Sequence, residues 1–287
     1  MTAPTLICPY SRPVLDQIFG YGIAVKVDHF EDISRAAEDI RSSGRTLVSV
    51  LIEVETPLGA VNFQEDWQGI PIALSVPEVG NYRDIFNKIK KMRDLKVHVY
   101  LPAGNRENLT GSRILASSGV TCCLVFGEVP PNWEALSDLM TYSLFGIDKH
   151  APIEPFNYIS EHYKPGANVD WGSVYFDGGR EFLHLDEKGR VALSQRDLLK
   201  GSFIAENIAT IETPLENKQY RKGINAWRQY FLGDHPCITC EGWKVCFGRF
   251  GFYGKHVGEC STFVADMLPE LEQCRNQQQQ VPSSENN

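Results

Sequence analysis

The sequence predicts an α/β protein in which a partial (β/α) barrel or open parallel sheet is followed by a small, cysteine-rich, metal-binding domain. Three observations lead to this fold class. Short apolar runs alternate with amphipathic segments from residue 23 to 145, a turn-rich stretch interrupts this alternation at residues 146–166, and four of the eight cysteines lie within residues 237–260. Apolar strands separated by helices are typical of a parallel sheet that is covered on both faces.

These patterns predict a partial βα-barrel domain over residues 1–150, a cysteine-rich domain over residues 151–275 and a disordered tail over residues 276–287. Residues 1–22 show no clear period, so we expect a poorly specified lead-in there. The tail is rich in glutamine, serine and asparagine, which cannot bury enough apolar surface to fold.

Within the first domain, the alternation predicts five strands and four helices. The strands are expected at Ile23–Val27, Leu47–Val54, Ile70–Val76, Val97–Leu101 and Cys122–Phe126. The helices are expected between Ile33 and Gly44, over Tyr82–Met92, around Leu109–Ala116 and over Trp133–Phe145.

Strand and turn patterns return in the second domain. A strand is expected at Ser173–Phe176, and a β-hairpin is expected to join Phe182–Leu185 to Arg190–Leu193 through a turn that ends at Gly189. Two helices complete this domain. One carries Tyr220, Ile224 and Trp227, and the other is capped by Ser261 or Thr262 and interrupted by Pro269.

Composition excludes several classes of partner. The net charge of −8 and the pI near 5.4 argue against a nucleic-acid partner. The most apolar window, Val120–Phe126, is far shorter than the roughly 20 residues of a membrane helix, so no membrane partner is expected. The N-terminus lacks a secretory pattern, which predicts a cytoplasmic protein with free or metal-bound cysteines.

Four cysteines form the candidate metal site: Cys237, Cys240, Cys246 and Cys260. Their spacing begins with Cys-x2-Cys, which lets one tight turn present two thiolates to the same ion. The alternatives are a disulfide pair or four unconnected buried thiols. Spacing alone favours zinc, because a closed site of four thiolates is a common zinc site.

The strand ends offer a different hypothesis, in which the chain is an enzyme of another kind. Glu53, Glu55 and Glu128 lie at the C-terminal ends of predicted strands, where βα folds bind their ligands, and His98 and Tyr100 lie on a predicted strand. Solvated carboxylates and a packed histidine are the more ordinary interpretation of these residues.

The C-terminal third resembles the SPASM domain, an extension of many radical S-adenosylmethionine enzymes that modify peptides. The resemblance rests on the hairpin, a helix carrying Trp227, and the Cys-x2-Cys-x5-Cys spacing. It implies two auxiliary [4Fe-4S] clusters, of which the second has a complete ligand set in the four candidate cysteines. Ser194 and Phe250 stand where the first cluster would have ligands, and the radical-generating Cys-x3-Cys-x2-Cys triad is absent.

The resemblance therefore implies a pseudo-radical-SAM protein that holds one [4Fe-4S] cluster rather than zinc. It implies an accessory role in the maturation of ribosomally made peptides (RiPP biosynthesis), with a precursor peptide or a radical SAM enzyme as partner and an electron relay through the cluster as one option. A zinc-binding, peptide-docking protein is the alternative, and a homo- or hetero-oligomer remains open.

Overall fold

We describe a computed structural model of the chain, which covers residues 3–177, 181–208, 233, 235–252 and 255–280. Within these residues, nine strands form one sheet with the order β7-β6-β5-β4-β3-β2-β1-β8-β9. The strands are β1 (Thr5–Pro9), β2 (Gly22–Val27), β3 (Thr46–Glu53), β4 (Ile72–Ser75), β5 (His98–Pro102), β6 (Cys122–Val125), β7 (Ile153–Glu154), β8 (Phe182–Leu185) and β9 (Val191–Ala192). The α/β class is confirmed, and the sheet is open and mostly parallel. Among the pairings between the named strands of the described residues, only the hairpin of β8 and β9 is antiparallel.

Helices connect most of the parallel strands. They are α1 (Arg12–Leu15), α2 (Asp32–Ser42), α3 (Tyr82–Asp94), α4 (Arg106–Ser117), α5 (Trp133–Phe145), α6 (Phe156–His162), α7 (Gln195–Leu199), α8 (Trp243–Cys246) and α9 (Val257–Gln280). Short 3-10 turns lie at Leu58–Ala60, Glu65–Trp67, Trp171–Tyr175 and Pro236–Thr239. No helix of the described stretches combines the length and apolarity needed to cross a bilayer.

The predicted elements of residues 23–145 are confirmed, with boundaries shifted by a few residues at most. Local signals explain this agreement. The side chains of Asn81, Asn105 and Asn132 each accept a backbone amide hydrogen bond at the start of α3, α4 and α5. The hairpin is confirmed as well, and Gly189 has the positive φ of +79° that its turn requires.

Three predictions outside that range are wrong. Residues 1–22 are not a loose lead-in, because β1 pairs in parallel with both β2 and β8, and its Leu6 and Cys8 are fully buried. The predicted strand at Ser173–Phe176 is a 3-10 turn. Helix α9 begins at Val257, before the predicted caps, and continues past Asn276 to Gln280 with Pro269 inside it.

The predicted helix with Tyr220, Ile224 and Trp227 lies outside the described residues. The chain divides into two compact units, each formed by two separate segments. The first unit comprises residues 1–100 and 172–229, and the second unit comprises residues 101–171 and 230–287. This division differs from the expected boundary at residue 150, which stays a prediction.

In the first unit, β1, β2, β3 and β4 follow one another in both sequence and space. Right-handed crossovers between such neighbours place the connecting helices on one face of the sheet. One face of these strands carries aliphatic residues and Cys8 that are nearly fully buried: Leu6, Cys8, Val25, Val50, Ile52 and Leu74.

Candidate metal centre

The Cys-x2-Cys pair lies on a single tight turn in the second unit. The 3-10 turn Pro236–Thr239 is closed by a hydrogen bond from the Cys240 amide to the Cys237 carbonyl, at 3.2 Å. The His235 ring Nδ1 accepts the Cys237 amide at 3.2 Å and caps the turn. This turn presents two thiols within four residues, as the spacing predicts.

Cys246 ends helix α8 and is followed by a sharp reversal of the backbone. Phe247 and Gly248 both have positive φ, at +50° and +79°. The reversal directs the backbone amides of Gly248 and Phe250 toward the Cys246 thiol, where they favour the thiolate. Burial outweighs them and raises the pKa of Cys246 to about 12.

Cys260 lies in the first turn of α9, and its amide donates to the His256 carbonyl at 3.1 Å. Burial raises the pKa of Cys260 to about 11, with further contributions from Cys237 and Cys240. A Cβ atom at Gly251 would lie 2.5 Å from the Cys260 Sγ. Only glycine therefore lets the chain pass this close to the sulfur.

The four thiols lie in one electrostatic neighbourhood. Cys237 interacts with Cys240, and Cys246 and Cys260 interact with each other and with Cys237. Burial raises the pKa of Cys237 too, so repulsion between thiolates would add to a desolvation cost that a cation removes. Over the described ranges, however, no three or more Cys, His, Asp or Glu side chains already stand close enough to hold an ion.

The donor set thus fits a thiolate-bound metal in its chemistry, burial and backbone amides, while the sulfurs would have to draw closer together to bind one. None of the eight cysteines, all of which lie in the described residues, forms a disulfide, so the disulfide alternative is not supported. The cysteines given no metal role are buried in other elements: Cys8 in β1, Cys122 and Cys123 in β6, and Cys274 in α9.

The segment 166–171 braces this cysteine segment within the second unit. The Trp171 indole N–H donates to the Val245 carbonyl at 2.7 Å, and the Val169 amide donates to the Lys244 carbonyl at 2.9 Å. Arg249 pairs with Asp170 at 2.7 Å. These contacts hold α8 on both sides of Cys246. The sequence carried no signal for them, because the partners lie more than seventy residues apart.

Phe250 and Ser194, where the resemblance places lost cluster ligands, both have structural roles. Phe250 is almost fully buried, and its ring packs 5.0 Å from Phe126, 5.2 Å from Trp171 and 5.4 Å from Phe263. Ser194 caps α7, since its hydroxyl accepts the Asp197 amide at 3.1 Å and donates to the Asp197 carboxylate at 2.7 Å.

The residues of the enzyme hypothesis are divided between the two units: Glu53, Glu55, His98 and Tyr100 belong to the first unit, and Glu128 belongs to the second. His98 begins β5 and so lies at the amino end of its strand, opposite to where βα folds bind ligands. The buried Tyr100 donates its hydroxyl to the Val174 carbonyl at 2.7 Å. Glu128 is exposed and pairs with Lys255 at 2.6 Å. Glu53, the last residue of β3, and Glu55, just after it, are exposed.

Comparison of the chain with family models, with curated proteins and with solved structures found no match. The resemblance to the SPASM domain therefore stays a prediction. The site itself is defined by the residues of this chain: four neighbouring thiols on two turns and a helix start.

Proposed function

We propose that this chain binds one metal centre through Cys237, Cys240, Cys246 and Cys260, and that the centre is a [4Fe-4S] cluster. The observation that carries the proposal is the neighbourhood of four free thiols with two backbone amides directed at the Cys246 sulfur. Amide hydrogen bonds to sulfur are among the features that set the potential of such clusters. When bound, a cluster of this kind supplies one-electron redox chemistry.

The chain's own residues would hold and shield the centre. Four thiolates fill the four protein ligand positions, so no iron would be left open to a substrate. The amides of Gly248 and Phe250 would stabilise the Cys246 thiolate, and the buried Phe250 and Trp171 rings would exclude water from that side of α8.

On this basis we propose an accessory protein rather than a radical enzyme. The sequence has no Cys-x3-Cys-x2-Cys triad, so it offers no site for the cluster that cleaves S-adenosylmethionine. The one-directional order of β1 to β7 is shared by an open parallel sheet and by the partial barrel that the resemblance implies. A precursor peptide or a radical SAM enzyme is the partner proposed from that resemblance, and free thiols suit the cytoplasm.

Zinc is the second candidate for the same ligands, because a closed set of four thiolates is a common structural zinc site. In that case the zinc would stabilise the fold of the cysteine segment, and the protein would dock a peptide without transferring electrons. A metal that binds only to the folded chain stabilises it by its binding free energy.

Anaerobic purification and reconstitution, followed by iron, sulfide and zinc counts and by optical and EPR spectra, tests the proposal. We expect about four irons and four sulfides per chain, the content of one cluster. About one zinc per chain instead would end the electron-relay role. A chain that takes up neither would overturn the proposal. Co-purification with a radical SAM enzyme, compared between the wild type and the Cys240→Ala variant, tests the partner.

A further inference from the structure

A second polar cluster lies in the first unit, on the face of the sheet opposite to its aliphatic face. The register pairs Ile7 of β1 with His184 of β8 and with Ala24 of β2. Lys26, two residues after Ala24, points to the same face, because strand side chains alternate. His184 and Lys26 therefore share this face. His184 is level with Ala24, and Lys26 lies two residues closer to the carboxyl end of β2.

Apolar residues form the floor beneath this cluster. Ile7, Ala24 and Phe182 pack together, with Leu51 and Phe176 against them. Above this floor, Lys26 donates its amine to the Gln195 side-chain carbonyl at the start of α7. Lys26 and Gln195 are only partly buried, so the cluster is open to solvent at its rim.

Within the described residues, the buried His184 ring makes no hydrogen bond. It is 4% exposed, and neither ring nitrogen has a hydrogen-bond partner within the described residues. The Phe176 backbone and the Gln195 side chain face the ring and favour its charged form, but not in hydrogen-bond geometry. Burial, followed by the charge of Lys26, lowers the pKa of His184 to about 4, so the ring is neutral at physiological pH. A neutral imidazole carries one donor and one acceptor, and leaving both unmet in a core is costly.

Charge defines the ligand that would meet this need. Lys26 is the cation of the cluster. Burial lowers the pKa of Lys26, and the Glu53 carboxylate acts in the opposite direction. Among the described residues, Lys26 and His184 interact with Glu53, with Gln195 and with the Phe176 backbone, and Lys26 also interacts electrostatically with the Cys8 thiol on the opposite face of the sheet. None of these groups is a second cation. One ammonium beside one imidazole N–H matches an acceptor with a single negative charge, and the Glu53 carboxylate disfavours a dianion.

We propose that His184, Lys26 and Gln195 form a binding site for a carboxylate. The carboxylate accepts from the Lys26 ammonium and from one N–H of the His184 ring, and Gln195 positions the Lys26 amine. The ligand is either a small carboxylic acid or the carboxylate of a peptide. This site involves none of the candidate metal ligands and stands independently of the metal proposal.

The test follows the imidazole of His184 by NMR in histidine-labelled protein. The signal is assigned by its loss in the His184→Gln variant. Acetate, inorganic phosphate, and one short peptide with either a free or an amidated C-terminus are the probes. We expect a saturable shift with acetate, the same shift with the free peptide if peptides are the source, and none with the amidated peptide.

Variants distinguish this site from a surface effect. Lys26→Met should weaken the acetate response by about tenfold or more, because a charge-assisted hydrogen bond is lost. Lys200→Met, which removes an exposed cation of the same unit, should leave it unchanged. Gln195→Leu, at a partly buried position, should weaken it and serves as the second variant if His184→Gln does not fold. Unchanged signals from the other histidines report an intact fold.

Three results would overturn the proposal. The first is the absence of a saturable shift of the His184 signal with any probe. The second is an equal acetate response in the wild type and in Lys26→Met. The third is tighter binding of phosphate than of acetate, which would contradict the single-charge argument.

Discussion

The cysteine segment and the carboxylate site are built in opposite ways. The four thiols come from one stretch of the second unit, where they lie on a 3-10 turn, at the end of α8 and in the first turn of α9. Lys26, His184 and Gln195 come from β2, β8 and α7 of the first unit and meet only because β1 pairs with both β2 and β8. The first kind of site is visible in a spacing pattern, whereas the second depends on long-range strand register.

The two sites also differ in how their polar groups are satisfied. Backbone amides of Gly248 and Phe250 already face the Cys246 thiol. The Phe176 backbone and the Gln195 side chain face the His184 ring, but neither ring nitrogen has a partner in hydrogen-bond geometry within the described residues. A turn places its own backbone amides near a thiol that it carries, whereas the side chain of a histidine on a strand needs hydrogen-bond partners from the residues packed against the sheet. The following predictions test this contrast, beginning with the largest expected effect.

Loss of one candidate ligand should abolish metal binding. Cys246→Ala removes the most deeply buried of the four candidate ligands. We expect metal content to fall from a full site to nearly none, because a three-thiolate set binds far more weakly. Metal analysis after anaerobic reconstitution measures this. The matched control is Cys274→Ala, which removes a buried thiol outside the set. Lys26→Met should also keep full metal content, and a loss there would mean that the two sites are not independent.

Metal affinity should depend on pH, because burial raises the pKa of Cys246 to about 12 and of Cys260 to about 11. Each thiol must release its proton to bind, so affinity should fall by roughly tenfold per pH unit lowered for each proton displaced. Competition titrations with a zinc chelator at several pH values measure the slope. A slope of zero would show that the thiols are already ionised.

The stability of the metal-free protein should change with pH in the opposite direction. The folded-state pKa values of these thiols lie above the unfolded value of about 8.5, so the folded chain binds more protons between them. Their contribution is complete below about pH 8.5 and is lost as the pH rises toward the folded values. Urea unfolding of metal-free protein on both sides of pH 8.5 checks the sign.

Truncating Phe250 should destabilise the second unit. Phe250→Ala empties the space between Phe126, Trp171 and Phe263, and we expect the free energy of unfolding to fall by about 3–5 kcal/mol. Chemical denaturation measures this loss. Phe86→Ala is the control, since the exposed Phe86 ring should cost within about 0.5 kcal/mol. A loss for Phe250→Ala as small as the control's would contradict its place in the core.

The smallest effect is expected at Tyr100 in the first unit. Tyr100→Phe removes the hydrogen bond to the Val174 carbonyl and should lower the free energy of unfolding by about 1 kcal/mol. Tyr10→Phe, which breaks an exposed hydrogen bond to Asp39, should cost less. Denaturant titration of both variants gives the comparison, and equal losses would argue that burial does not strengthen the Tyr100 bond.

Local signals account for the parts of the fold that the sequence predicted. Helices α2 and α3 follow from the spacing of their buried residues, and the Asn81 cap fixes where α3 begins. The hairpin follows from Gly189, whose positive φ few other residues tolerate. The cysteine spacing likewise located the turn at Pro236–Thr239.

The failures came from tertiary structure. Residues 5–9 lack a flanking pattern of their own, and they form β1 because strands on both sides offer backbone hydrogen bonds. Ser173–Phe176 has the composition of a strand, but its backbone closes a 3-10 turn that places the Val174 carbonyl against Tyr100. Strand β8 is far from β1 in the sequence, and Tyr100 is far from Val174. A local periodicity therefore does not predict either contact.

The sequence by itself determined the α/β class, most of the helices and strands of residues 23–145, and which thiols lie on one tight segment, because propensity, capping and short spacings act over a few residues. Tertiary structure alone decided that β1 joins β2 to β8, that Phe250 fills a core, and that His184 and Lys26 share a face. Those outcomes depend on strand register and packing between residues far apart in the chain, which a single sequence does not encode in any local pattern.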